Sequence, residues 1–188
     1  VEDQKAFLLD LHQQRVRETF AHFGKECSID LEKIFKDLEH DEDGLYKLRI
    51  VYDLEGNFKA QMLPYAFPEI ETFELVENND FSYDFKFADR TEFEKMKKKA
   101  RAQEIIIVKN GQITDTSFSN LLFLKNQTWY TPKSFLLNGV QRQNLLKQGI
   151  IKETEITLQN LNEFSHFQLI NSMNEFNQDF VYSIEELK

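Results

Sequence analysis

Two turn signals limit the kind of sheet that this 188-residue chain can form. The Asn-Gly pair at 110–111 favours a two-residue turn between antiparallel strands. The Glu-Gly-Asn turn at 55–57 separates two segments, 45–53 and 58–63, that have the composition of strands. Each signal predicts a β-hairpin. Because helical patterns alternate irregularly with these strands, the sequence predicts an α+β fold with mixed or antiparallel sheets rather than a doubly wound one.

Helical segments are predicted from apolar residues that recur at three- and four-residue spacing. The first covers residues 7–23, and Gly24 is a fitting C-terminal stop. Asp30 can cap a second helix, and the polar stretch 40–44 predicts a turn. Further helices are predicted at 91–103, at 141–148 before Gly149 and near Leu161, and further strands at 69–77, 82–90, 105–108, 121–124, 128–130, 150–156 and 167–170.

Two prolines mark the predicted domain boundary. Pro64 and Pro68 flank only three residues, and such a spacing is typical of a short, stiff connector. We therefore expect a small N-terminal domain at 1–63, a connector at 64–68 and a larger C-terminal domain at 69–188.

Composition and charge argue against several classes of partner. A net charge of −9 would repel a phosphate backbone, so we expect no nucleic acid; the basic run 95–101 is interpreted as a solvated helix face. Cys27 is the only cysteine, which excludes an intrachain disulfide and favours a cytoplasmic location. Apolar runs are only a few residues long, whereas a membrane-spanning helix needs about 20, so we expect no membrane partner.

Lys86 lies in the predicted strand 82–90, which is rich in aromatic residues. A lysine on an apolar strand face would be desolvated, which lowers its pKa and makes its amine a better nucleophile. The alternative is an edge-strand lysine that points to solvent, as most lysines do. The local residues leave both interpretations open.

Four segments occur in an informative order. Lys86 is followed by a polar run at 111–120, by Thr-Pro at 131–132 and by Leu-Asn-Gly-Val-Gln-Arg at 137–142. In this order and spacing they resemble the class IV aminotransferase family, the fold-type IV pyridoxal phosphate (PLP) enzymes, which include 4-amino-4-deoxychorismate lyase and the branched-chain and D-amino acid aminotransferases. The resemblance covers most of the chain. It implies two α/β domains with PLP in the cleft between them.

The resemblance also implies roles for individual residues. Lys86 would carry the cofactor as an aldimine, and Asp115, where most members have a glutamate, would face the pyridine nitrogen. Gly139, Val140 and Gln141 would open a helix at the cofactor's phosphate, with Gln141 in place of the usual threonine. Arg15 and Ser172 would also contact the phosphate, and the side chain of Leu137 would lie behind the ring.

Local alternatives exist for several of these residues. Arg15 and His12, one helical turn apart, are also typical of a solvated helix face. Asp115 is also typical of a turn or bulge after a hairpin, and Asn120 is interpreted as structural. The amide of Gln141 would replace one hydroxyl contact, whereas backbone N–H donors would survive that change.

The activity implied is that of a PLP-dependent enzyme acting on an amino compound, with Lys86 moving the α-proton as general base. The reaction is either transamination or, as in 4-amino-4-deoxychorismate lyase, elimination of pyruvate to give 4-aminobenzoate, and we favour the lyase-like reaction. Arg90 and Arg142 are candidate partners for a substrate carboxylate or structural ion-pair residues. The alternatives are a degenerate member that binds PLP without turnover, motivated by Asp115 and Gln141, and an acidic α+β domain without a cofactor.

A homodimer is the expected assembly, because members of the family build the cleft with help from a partner subunit. The 18 phenylalanines support it independently, since a chain of this length has limited interior in which to bury so many rings. The alternative is that these rings fill two small cores.

Overall fold

The computed structural model describes residues 1–2, 5–38, 44–177 and 180–187. Within these residues the chain forms four α-helices, ten β-strands and two short 3₁₀ helices, so the α+β class predicted from the sequence is confirmed. The chain divides into two compact units, Val1–Phe67 and Pro68–Lys188. The turn predicted at 40–44 lies, apart from Gly44, outside the described residues.

The helices of the first unit are α1, Leu9–His22, and α2, Leu31–Lys36. Helix α1 is followed by Gly24 at a φ of +66°, a left-handed conformation that favours glycine. The side chain of Asp30 caps α2 by accepting from the backbone N–H of Lys33 at 3.0 Å. Both predicted helix ends are therefore confirmed. The two helices pack around a core of Val16, Phe20, Ile29, Leu31 and Ile34.

A two-stranded hairpin completes the first unit. Strands β1, Tyr46–Tyr52, and β2, Phe58–Pro64, pair antiparallel. Between them Gly56 adopts a φ of +90°, and the Asp53 carboxylate accepts from the backbone N–H of Asn57 at 2.9 Å. The predicted hairpin is confirmed, and turn chemistry explains its position.

The second unit begins with a mixed three-stranded sheet. Its strands are β3, Phe73–Glu77, β4, Glu104–Lys109, and β5, Gln112–Thr116. Strands β3 and β4 are parallel and are connected through helix α3, Thr91–Lys99. Strands β4 and β5 form the predicted antiparallel hairpin, in which both turn residues at 110–111 have positive φ.

A five-stranded sheet forms the rest of the second unit. Its strands are β6, Asn120–Lys125, β7, Thr128–Pro132, β8, Lys152–Thr154, β9, His166–Ile170, and β10, Tyr182–Ser183. Their order across the sheet is β10-β9-β6-β7-β8, with β7 and β8 parallel and the other pairs antiparallel. Helix α4, Val140–Lys147, lies between β7 and β8 in the chain. Sequence patterns did not predict β10, because two paired residues leave no periodicity.

Strand β4 is buried on both faces, as its run of apolar residues predicts. Ile106 and Val108 belong to a core cluster shared with the five-stranded sheet, whereas Ile105 and Ile107 belong to a second cluster that contains the apolar face of α3. This strand therefore separates these two clusters of the second unit.

The strand predicted at 82–90 is wrong: this segment forms no regular element. Tyr83 is buried and packs edge-on against Phe93 with ring centroids 4.8 Å apart. Its hydroxyl donates to the backbone oxygen of Phe87 at 2.6 Å. The backbone N–H of Phe87 donates to the backbone oxygen of Phe85 at 2.8 Å. These backbone groups are already hydrogen-bonded within the segment, so they do not pair with a neighbouring strand.

Other differences concern element ends. The strand predicted at 69–77 begins at Phe73, and the helix predicted at 91–103 ends at Lys99. The helix predicted near Leu161 is a single 3₁₀ turn. Among the described residues, every helix is too short or too polar to cross a lipid bilayer.

Candidate functional site

Asp115 is the buried acid of strand β5, with 5% of its surface exposed. One carboxylate oxygen, Oδ2, accepts from the backbone N–H groups of Leu136 and Leu137, both at 2.9 Å. The other, Oδ1, accepts from the Asn120 amide at 2.8 Å. The carboxylate therefore anchors the loop between β7 and α4, and the simple turn role considered from the sequence does not describe these contacts.

The environment raises the pKa of Asp115 from 3.8 to about 6. Burial is the largest cause, since it penalises the charged form. The three donated hydrogen bonds and the positive charge of Arg142 act in the opposite direction. Perturbed carboxyl groups of this kind cluster at functional sites, although structural networks produce them too.

Asn120, the first residue of β6, joins the same loop to that strand. Its amide nitrogen donates to Asp115 and also to the backbone oxygen of Leu137 at 2.9 Å. A Cβ atom added at Gly139 would lie 2.0 Å from the Asn120 amide oxygen. Gly139 has an ordinary φ of −67°, so close approach, rather than backbone conformation, requires glycine here.

Helix α4 starts at this loop without a capping side chain. Gly139 is its N-cap residue, and its first turn contains no acidic residue. The N–H groups of the first turn of a helix have no partner within the helix and attract anions. Gln141 is buried, and its amide oxygen makes only a long contact of 3.4 Å with the Asn144 side chain. The N–H groups at the start of α4 therefore have no side-chain cap, and the residues that carry them are buried.

Arg142 is also buried, and it braces the loop from the other side. Its guanidinium donates to the Asn138 side chain at 3.0 Å and to the backbone oxygen of Pro132 at 3.2 Å, and it forms an ion pair with Glu153. It also lies over the ring of Phe135, 4.4 Å from the centroid. Of the two roles open from the sequence, these contacts support the structural one.

Lys86 is exposed in an irregular segment. Of the two interpretations that the sequence left open, the solvent-facing side chain agrees with this exposure, although the segment is not a strand. The segment is nevertheless fixed close to the Asp115 loop. Tyr83 belongs to the hydrophobic cluster that also contains Leu136 and Leu137. Arg90, at the end of the segment, donates to the backbone oxygen of Ser117.

Ser172 lies in a turn after β9 that is tied to the same region. The Asn171 amide donates to the Ser119 hydroxyl at 2.9 Å, and its oxygen accepts from the backbone N–H of Met173 at 2.7 Å. Arg15 lies on α1 in the first unit, where its guanidinium is 3.1 Å from the His12 ring nitrogen. These two predicted phosphate contacts thus belong to different units.

Glu104 and Tyr83 are site-region residues that the sequence interpretation missed. Glu104 is 1% exposed; its carboxylate accepts from the backbone N–H of Ser117 at 2.9 Å and from Lys97 at 2.7 Å. One signal was present, because an acid opening the apolar strand 104–109 needs a partner once it is buried. The partners themselves are distant in sequence.

The residues of the second unit fit pyridoxal phosphate in their chemistry. Asp115 would supply a buried carboxylate for a ring nitrogen, the start of α4 would supply N–H donors for a phosphate, and Lys86 would supply the amine. The structure brings Asp115 and Leu137 into one hydrogen-bonded cluster with Asn120, and Gly139 lies directly against the Asn120 side chain.

Comparisons with known proteins identify the family of this chain. The family described as amino-transferase class IV matches residues 1–177. An uncharacterised protein of Haemophilus influenzae strain Rd is 30% identical over 178 residues, which cover 93% of this chain and 94% of that protein.

Solved structures of similar fold include two informative neighbours. A candidate 4-amino-4-deoxychorismate lyase from Haemophilus somnus 129pt is 34% identical, with a TM-score of 0.86 and 94% of each chain covered. A hypothetical aminotransferase from Mycobacterium tuberculosis, in a PLP-bound form, shares the fold at 15% identity and a TM-score of 0.75, with all of this chain and 78% of that one covered. The chain belongs to the class IV aminotransferase family, whose members depend on PLP and have the fold of type IV.

Proposed function

We propose that this protein is a PLP-dependent enzyme acting on a small amino compound, with the cofactor attached through the Lys86 amine. The observation that carries the proposal is the network in which Asp115 holds the loop that leads into the uncapped start of α4. One cluster thereby offers an acid for a pyridinium nitrogen and donors for a phosphate.

The bound cofactor would supply an electron-accepting ring that stabilises negative charge at the substrate carbon. Asp115 would hold a proton at the ring nitrogen, and Leu137 would support the face of the ring. Val140 and Gln141 would donate backbone N–H groups to the phosphate, with Arg15 and Ser172 as further donors. Lys86 would move the proton at the substrate α-carbon.

The lyase reaction, which releases pyruvate and 4-aminobenzoate from 4-amino-4-deoxychorismate, is the favoured branch. It is supported by the 34% identical neighbour from Haemophilus somnus, itself a candidate lyase. Purified protein would be incubated with 4-amino-4-deoxychorismate, and both products measured. Release of both products at equal amounts is expected. Exchange of amino groups between an amino acid and a 2-oxo acid, without 4-aminobenzoate, would instead establish the aminotransferase branch.

The attachment site can be tested without a substrate. PLP would be added to the protein, the product reduced with borohydride, and the labelled peptide mapped. Label at Lys86 is expected, because its segment is fixed beside the Asp115 loop. Label on Lys95, Lys97, Lys98 or Lys99 would contradict the assignment.

A second candidate function is PLP binding without turnover. It is favoured by the Asp115 carboxylate, which already accepts three hydrogen bonds from the protein. It predicts a yellow protein whose visible absorbance does not change when amino acids or 4-amino-4-deoxychorismate are added. A spectral change on adding substrate would exclude this alternative, and a protein that never acquires visible absorbance with PLP would exclude both.

A further inference from the structure

Arg90 connects the segment that carries Lys86 with the turn that follows Asp115. It is the N-cap residue of α3. One arm of its guanidinium, Nη1, donates to the Tyr83 hydroxyl at 3.4 Å, and the other, Nη2, donates to the backbone oxygen of Ser117. The guanidinium also lies over the Phe93 ring, 4.5 Å from its centroid. Two acceptors and one aromatic face therefore fix its orientation.

On the Lys86 side, Arg90 is connected through the Tyr83 hydroxyl to the backbone of Phe87. Tyr83 is 5% exposed, and its hydroxyl donates to the backbone oxygen of Phe87, the residue directly after Lys86, at 2.6 Å. The backbone N–H of Phe87 donates in turn to the backbone oxygen of Phe85. Hydrogen bonds thus hold the backbone on both sides of Lys86, although its side chain is exposed.

On the Asp115 side, the peptide groups of Ser117 are held from two directions. Its carbonyl accepts from Arg90, and its N–H donates to Glu104 at 2.9 Å. The second oxygen of Glu104 accepts from Lys97 at 2.7 Å. Because Ser117 is only two residues after Asp115, a shift of this turn would move the anchoring carboxylate.

We propose that Arg90 is a positioning residue that sets the spacing between Lys86 and Asp115. The inference rests on the proposed function, in which these two side chains act on opposite ends of one rigid pyridine ring. A planar guanidinium can hold two acceptors at a fixed separation, whereas a lysine ammonium is a single point on a flexible stem. Arg90 is accordingly not the partner of a substrate carboxylate.

The coupling is tested first in cofactor-free protein. Arg90→Met keeps an apolar side chain over Phe93 and removes both donors, Tyr83→Phe removes only the hydroxyl, and Arg101→Met removes an exposed arginine as the control. Hydrogen exchange would be measured for peptides covering 84–88 and 116–120. Arg90→Met should accelerate exchange in both peptides by about tenfold, the loss expected for one charge-assisted hydrogen bond. Tyr83→Phe should affect 84–88 more than 116–120, and Arg101→Met neither.

The second measurement uses PLP without substrate. Arg90→Met should slow the appearance of visible absorbance and shift the pH midpoint of that absorbance, and Tyr83→Phe should shift the midpoint in the same direction. If Arg90 instead bound a substrate carboxylate, the variant would match wild type in exchange and absorbance and would raise only the KM for substrates with a carboxylate. That result would overturn the proposal.

The outcomes separate this proposal from the proposed function. If wild-type protein acquires no visible absorbance with PLP, the proposed function is wrong. Arg90 would then have no pair of catalytic side chains to position. Normal absorbance in wild type, with unchanged exchange in Arg90→Met, defeats the positioning role alone. If Arg90→Met does not fold, Tyr83→Phe decides, because it keeps the buried ring; an unshifted midpoint in that variant overturns the proposal.

Discussion

At Asp115, burial and hydrogen bonding act on one carboxyl group in opposite directions, and burial is the larger effect. The pKa in the folded protein is about 6, against 3.8 for an exposed aspartate. The folded state therefore binds this proton more tightly than the unfolded state. The contribution of Asp115 to stability consequently decreases as the pH rises from about 4 to about 6.

The pH dependence gives a direct test at this residue. A shift of about two pKa units corresponds to about 3 kcal/mol across that pH range. Asp115→Asn should remove this decrease, although it also disturbs the hydrogen bonds, so the slope of stability against pH matters rather than its absolute value. Urea unfolding from pH 4 to pH 7 would measure it. Asp80→Asn, at an exposed position, is the control; equal slopes in wild type and Asp115→Asn would contradict the prediction.

Removing the carboxylate altogether tests its proposed chemical role. Asp115→Ala should reduce turnover by far more than it weakens PLP binding, because the phosphate would hold the cofactor independently. The measurements are kcat with the best substrate and the dissociation constant of PLP. Unchanged turnover would show that Asp115 serves only to anchor the loop at Leu136 and Leu137.

At the scale of elements, the junction between β6 and the loop before α4 depends on Gly139. In Gly139→Ala the new Cβ would meet the Asn120 amide oxygen at 2.0 Å, so the loop or the amide must move. We expect a loss of about 1–3 kcal/mol in unfolding free energy, the usual cost of overpacking. Thermal or urea unfolding would measure it.

The companion variant identifies the cause of that loss. Asn120→Ala is destabilising by itself, because it removes the hydrogen bonds to Asp115 and Leu137. In the double variant the clash is absent, so the two losses should not add. Strict additivity would mean that Gly139 is needed for another reason.

The start of α4 can be tested by removing one backbone donor. Val140 is the first residue of the helix, where proline is well tolerated, and Gly139 before it has an extended ψ of 145° that suits a following proline. Val140→Pro should weaken PLP binding by about tenfold, the value of a hydrogen bond to a charged group. Pyridoxal, which lacks the phosphate, is the matched ligand. Equal weakening for both ligands would point to distortion of the loop instead.

At the scale of the whole molecule, the expected assembly is a homodimer. Several phenylalanines, among them Phe7, Phe58, Phe67 and Phe87, are exposed in the single chain. Such rings mark a surface that a partner covers when they form one contiguous patch. Light scattering at micromolar concentration, with PLP present, should give about twice the 22.4 kDa mass of one chain. A monomeric mass would contradict the prediction, and the cytoplasmic location expected from the single cysteine stays a separate prediction.

Local chemistry was sufficient for many elements. Turn residues with positive φ, such as Gly24 and Gly111, and the cap at Asp30 act through their immediate neighbours, so helix ends and hairpins could be predicted from the chain itself. The order of short motifs was likewise sufficient to indicate the family, because that order is a property of the sequence. The fully apolar run in β4 predicted a strand buried on both faces.

The sequence by itself thus determined most of the elements, the fold class and the family, whereas only the tertiary structure decided what each polar side chain contacts. The hydrogen bond between Asp115 and Leu136 joins residues 21 positions apart, and the one between Glu104 and Ser117 joins residues 13 positions apart. The segment 82–90 fails as a strand for the same reason: its alternating aromatic residues are compatible with a strand, but Tyr83 packs on Phe93 and bonds to the backbone oxygen of Phe87 in a segment without regular structure. Contacts between distant residues depend on how elements pack, and local propensity carries no information about that packing.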